Sequence, residues 1–88
     1  MKTLFRESFF KDLSSIRDRD LRARIGLIIK AVEDAEVLDA LPHLKRVRGK
    51  GHFYRLRLGD YRVGFELEGD TVVFLRFLHR KEVYRYFP

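Results

Sequence analysis

Eighty-eight residues, 45% hydrophobic and 14% aromatic, suffice for one domain with a single packed interior and exclude a disordered basic tail. The absence of cysteine excludes disulfides and thiolate metal sites and suits a reducing compartment. The net charge of +6 is uneven: residues 1–41 carry eight Lys/Arg against eight Asp/Glu, residues 42–88 eleven against five. A basic face concentrated in one half favours a nucleic acid or an acidic protein over a neutral small molecule. No stretch approaches the roughly 20 apolar residues of a membrane span, and no signal-peptide core opens the chain, so a cytoplasmic protein with no membrane partner is expected.

Lys2 to Phe5 fits a short first strand. Phe9, Leu13 and Ile16 recur at helical spacing and predict a first helix that Ser14-Ser15 ends. Asp18 or Asp20 suits the start of a second helix, with an acid near its positive end. From there Leu21, Ile25, Ile28, Ile29 and Val32 fall on one face. Gly26 is about 1 kcal/mol poorer than Ala inside a helix and is expected to let the two helices approach closely. Arg17, Arg19, Arg22 and Arg24, interleaved with Asp18 and Asp20, read as a solvated face.

Pro42 forbids helix beyond residue 41. Residues 44–51, Leu-Lys-Arg-Val-Arg-Gly-Lys-Gly, read as a basic loop that offers Lys45, Arg46, Arg48 and Lys50 and exposes N–H groups to phosphate. Its spacing matches no P-loop, because no Gly-Lys-Ser/Thr ending follows.

Residues 53–65 then read as a tight hairpin turning at Gly59-Asp60. Leu58 pairs with Tyr61, Arg57 with Arg62, Leu56 with Val63, Arg55 with Gly64 and Tyr54 with Phe65. One side is wholly apolar, and the other gathers Arg55, Arg57 and Arg62. Like charges set opposite each other cost a few tenths to about 1 kcal/mol, so the cluster reads as a seat for a polyanion. Glu68-Gly69-Asp70-Thr71 forms a second turn. Residues 72–79 are apolar on both parities and belong inside the sheet. Arg76 is a further candidate contact to nucleic acid: a two-residue turn places it opposite Val63 on the core side, a three-residue turn on the arginine face. At the end, His79, Arg80, Lys81, Tyr84, Arg85 and Tyr86 mix cations with rings, as single-stranded RNA contacts require. Val83 and Phe87 remain free to pack on the core.

Scattered His43, His52 and His79 give no metal-ligand spacing, and no serine sits in a nucleophile elbow. The set that remains suits cleavage of RNA by its own 2′-hydroxyl, where fixed arginines stabilise the charge added to phosphate. No metal or cofactor is called for. A binding surface without chemistry is the alternative.

The block Tyr54-Arg55-Leu56-Arg57-Leu58-Gly59-Asp60-Tyr61-Arg62-Val63, the ending His79-Arg80-Lys81-Glu82-Val83-Tyr84 and the run Leu44-Lys45-Arg46-Val47-Arg48-Gly49 together resemble the RelE/ParE toxin superfamily over nearly the whole chain. The resemblance implies an α+β fold for residues 1–88: a short N-terminal strand and an α-helical hairpin packed on a mainly antiparallel sheet that ends in a three-stranded meander. It implies a type II toxin that cuts mRNA in the ribosomal A site, with Arg55, Arg57, Arg62, Arg80 and Tyr84 as catalytic positions and His79 a further candidate. Lys45, Arg46, Arg48, Lys50 and Arg76 would contact RNA. The partners implied are an acidic antitoxin, the ribosome with mRNA, and operator DNA only through the antitoxin complex. The alternatives are a ParE-like gyrase inhibitor without ribonuclease activity and a non-catalytic antitoxin-binding module. Family members commonly carry Lys where Arg55 and Arg57 stand. Arginine stays protonated, which leaves Tyr84, His79 and Glu66 as candidate bases.

Overall fold

A computed structural model describes residues 1–49 and 51–88. The expectation for Lys50 therefore lies outside the described residues. In chain order the elements are β1 (Lys2–Phe5), α1 (Glu7–Ser14), α2 (Arg19–Asp34), a 3-10 turn (Leu38–Ala40), β2 (Leu44–Arg46), β3 (Phe53–Leu58), β4 (Tyr61–Glu68), β5 (Thr71–His79) and α3 (Arg80–Tyr86). The five strands form one sheet ordered β1-β5-β4-β3-β2. β1 runs parallel to β5, and every other pairing is antiparallel. The fold is thus α+β, with the expected meander in β3-β4-β5.

The helix hairpin forms where the pattern places it. The Asp18 side chain accepts from Leu21 N at 3.1 Å and caps α2. Arg22 Nη1 donates to the carbonyls of Leu13 and Ile16, closing the end of α1. Arg22 makes that contact while staying exposed, like Arg17, Arg19 and Arg24, as the solvated-face reading expects. Gly26 has open space where a side chain would stand, so close helix packing does not require it. Phe9, Ile25 and Val32 of the helices are buried against Leu56, Val63, Phe65, Val72, Phe74 and Phe77 of the sheet.

The opposite face of the sheet carries a smaller cluster, in which Val83 and Phe87 cover Leu78 with Leu75, Phe53 and Val47 around them. α3 is the element that brings them there. Two apolar anchors four residues apart, with the exposed Tyr84 and Tyr86 between them, make a weak helical signal, so the sequence indicates their packing but not the helix.

Two further differences come from sheet pairing. Residues 44–46 are strand, not loop, because the outer edge of β3 offers an unpaired row of backbone groups. Leu44 lies opposite Leu56 and Lys45 opposite Arg55. The turn after β4 has two residues, since Glu68 pairs with Thr71, but a bulge at Gly64/Phe65 then shifts the register by one. Phe74 and Phe77, three positions apart, therefore both face the helices.

Candidate nucleic-acid interface and active site

The hairpin register is the one its alternation dictates, from Leu58 opposite Tyr61 to Tyr54 opposite Phe65. Arg57 and Arg62 are direct cross-strand partners, and Arg55 lies beside Gly64 on the same face. β2 adds Lys45 next to Arg55, and α3 sets the Tyr84 ring 4.5 Å from the Arg55 guanidinium carbon. Together with His43 and Leu44, these residues line an open cleft of about 300 Å³. Tyr84 is 76% exposed, a ring free to stack with a base.

None of Arg55, Arg57 and Arg62 is paired with a carboxylate among the described residues. Arg62 Nη1 donates instead to the carbonyls of Gly59 and Tyr61, at 3.0 and 2.8 Å. Arg57 Nη2 meets His43 Nδ1 at 3.1 Å. None of these partners is a carboxylate, so they orient the cations and leave their charge uncompensated. A second hollow, of about 500 Å³, lies between α2 and the edge of the sheet and shares His43 and Arg57 with the cleft. Its lining is mostly aliphatic, whereas the cleft is lined mostly by cations.

The other candidates disperse. Arg80 stands at the rim, its backbone N–H donating to Asp60 O at 2.7 Å and its Nε 3.7 Å from Asp60 Oδ1. His79 caps α3 by accepting from Lys81 N, rests edge-on against Tyr61, and lines a different depression beside Asp12 and Glu82. Arg46 is held by His52 Nδ1 at 3.2 Å, and with Arg48 it lines a shallow hollow beyond β2. Glu66 shares the arginine face, but Phe87 occupies the position over Gly64 that separates it from Arg62: a Cβ on Gly64 would lie 2.8 Å from the ring.

Arg76 takes the position on the arginine face, opposite Gly64, although the turn has two residues, because the bulge supplies the extra one. Its guanidinium turns to α1, where Nε and Nη2 donate to Asp12 at 2.7 and 3.1 Å. The hydrogen bond to Asp12 holds the guanidinium above its ordinary value; burial opposes this, and the charges of Asp12 and Glu82 reinforce it. Asp12 also accepts from Phe77 N. Arg76 thus ties β5 to α1 as a cation paired with Asp12, unlike the three cleft arginines. His43 is the cleft residue that sequence reasoning missed. Its one signal was a place just after Pro42, where a turn delivers it to the end of β3.

An apolar sheet face packed on two helices, with an unneutralised arginine cluster on the other face, defines a small basic α+β protein. A family model described as the ParE toxin of the type II toxin–antitoxin system parDE matches residues 4–84. The chain is 44% identical to Toxin RelE3 of Methanocaldococcus jannaschii over the full length of both. It superposes on a chain of the RelB–RelE antitoxin–toxin complex from Methanococcus jannaschii with a TM-score of 0.82 at 41% identity, covering 97% of this chain and 99% of that one. The archaeal RelE–RelB complex of Pyrococcus horikoshii shares the fold, with a TM-score of 0.74 at 23% identity over 90% and 93% of the two chains. The chain belongs to the RelE/ParE superfamily of type II toxins. No helix among the described residues is long and apolar enough to cross a membrane.

Proposed function

We propose that the protein is a ribosome-dependent mRNA endonuclease, a single toxin domain acting in the cytoplasm on mRNA in the A site. The observation that carries this reading is the cleft in which Arg55, Arg57 and Arg62 stand without carboxylate partners beside the exposed Tyr84 ring. Attack of a 2′-hydroxyl on the adjacent phosphate adds negative charge to its oxygens. Preorganised guanidinium groups stabilise that charge through forked hydrogen bonds without having to reorient. Arg80, at the rim, is placed to meet the leaving-oxygen side once a phosphate competes with its exposed Asp60 contact. Tyr84 stacks a base. Lys45, Arg46 and Arg48 meet backbone phosphates without reading sequence.

The RelB–RelE complexes of the relatives support an antitoxin as partner, acidic because the uncovered cations call for it. Operator DNA would be met only through that complex. The ParE family model favours a second reading, a gyrase inhibitor that uses the same fold without cutting RNA. Expression in cells with Arg62→Ala, Arg80→Ala and Tyr84→Phe as controls tests the assignment. Translation arrest that all three relieve supports it, and undiminished toxicity in all three contradicts it.

A further inference from the structure

We infer that His43 takes the proton of the attacking 2′-hydroxyl, a role that rests on the ribonuclease reading above. The cleft needs a base that its other residues do not supply. Arginine is always protonated, an ammonium such as Lys45 has no lone pair, and the Tyr84 phenol must first lose its own proton. His79 is engaged at the start of α3, and Phe87 stands between Glu66 and the arginines. His43 is the imidazole in the lining, with Lys45 on β2, Arg55 and Arg57 on β3, Arg62 on β4 and Tyr84 on α3 around it, and Arg24 of α2 across the adjoining groove. No carboxylate lines either hollow among the described residues.

Its placement is specific. His43 has a φ of +62°, in the left-handed region that costs a residue with a side chain about 1–2 kcal/mol. That strained turn brings two of its atoms to one partner: the carbonyl accepts from Arg57 N at 3.1 Å, and Nδ1 lies 3.1 Å from Arg57 Nη2. A guanidinium only donates, so Nδ1 carries the lone pair and the ring proton is on Nε2. Strain concentrated at a cleft points to a function for the residue it holds.

The steps balance. A phosphodiester entering the cleft draws the Arg57 fork to its oxygens, where charge-assisted bonds are stronger than the bond to a neutral ring. Nδ1 is thereby released beside the phosphate and accepts the 2′-hydroxyl proton as the O2′–P bond forms. The P–O5′ bond breaks, and the 5′ oxygen takes a proton from water in the open cleft. The hydroxide produced takes the imidazolium proton, which restores the neutral ring. The products are a 2′,3′-cyclic phosphate and a 5′-hydroxyl.

His43→Asn separates proton transfer from positioning. Asn adopts the left-handed conformation, and its Oδ1 can accept from Arg57 where Nδ1 did, but it takes no proton. With mRNA-programmed ribosomes as substrate, cleavage should fall about 10²- to 10⁴-fold with binding to those ribosomes unchanged. His43→Gly, which also suits this φ, should recover cleavage when imidazole is added. Wild-type rate in the Asn variant overturns the proposal, as does a Gly variant that imidazole leaves inert, which would assign His43 to holding Arg57. Intact mRNA with the wild-type protein would instead remove the ribonuclease reading, and this role with it.

Discussion

Arg57 and Arg62 stand directly opposite each other across β3 and β4, and neither meets a carboxylate among the described residues. Each is held by a partner that is not a carboxylate: His43 Nδ1 for Arg57, main-chain carbonyls for Arg62. Such a pair serves the fold poorly. Its retention makes sense when an anion completes it, and stability and activity should then respond in opposite directions.

Arg57→Thr removes one of the two facing charges and places a good strand former on an exposed position. Relief of the repulsion should leave stability equal or raise it, by a few tenths to about 1 kcal/mol. Urea unfolding and translation-dependent cleavage measured on one preparation check this. Lower stability accompanied by full activity would contradict it.

Gly64 is the close-contact point between the sheet and the C-terminal helix. A Cβ there would lie 2.8–2.9 Å from three ring atoms of Phe87, which is 4% exposed. Gly64→Ala should therefore push α3 outward, cost about 1–3 kcal/mol by overpacking, and weaken activity by displacing Tyr84. Phe87→Leu in the same chain should restore part of the lost stability. Thermal unfolding of the single and double variants measures the coupling, and strict additivity would refute the contact.

Asp12 links α1 to β5 through three hydrogen bonds, two from Arg76 and one from Phe77 N. Its side chain is only 14% exposed. Asp12→Asn keeps the shape but removes the charge and turns one acceptor oxygen into a donor. A loss of about 1.5–3 kcal/mol is expected for the charge-assisted bonds, with the cleft arginines untouched. The measurement is the urea midpoint, and an unchanged midpoint would contradict the role.

Gly26 sits inside α2 with nothing near the position of an added methyl group. Gly26→Ala should stabilise the protein by about 0.5–1 kcal/mol, because Ala loses less backbone freedom on forming helix. Thermal unfolding checks it, and destabilisation would reveal a packing demand at that site.

Much of this architecture is legible in the chain. Period-two alternation around Gly59-Asp60 sets the pairing of β3 with β4, because a slip of one residue would turn either Leu56 and Leu58 or Val63 and Phe65 out of the core. The apolar stripe of α2 and its Asp18 cap are local signals of the same quality. What escapes is non-local. The bulge that carries Arg76 to Asp12 arises between β4 and β5, and no single strand announces it. β2 is a three-residue strand whose reason to exist is the open edge of β3. His43 joins the cleft only because β2 pairs there. Of the candidate site, Arg55, Arg57, Arg62 and Tyr84 converge as expected, while Arg80 stays at the rim and His79 and Arg76 serve the fold.

In the proposed function the unneutralised arginine cleft cuts translated mRNA. Primer extension across a translated message during induction tests it most directly. New 5′ ends should appear at codon-defined positions, absent when the start codon is removed and absent with Arg62→Ala. Intact message accompanied by DNA double-strand breaks would contradict it and favour the gyrase reading.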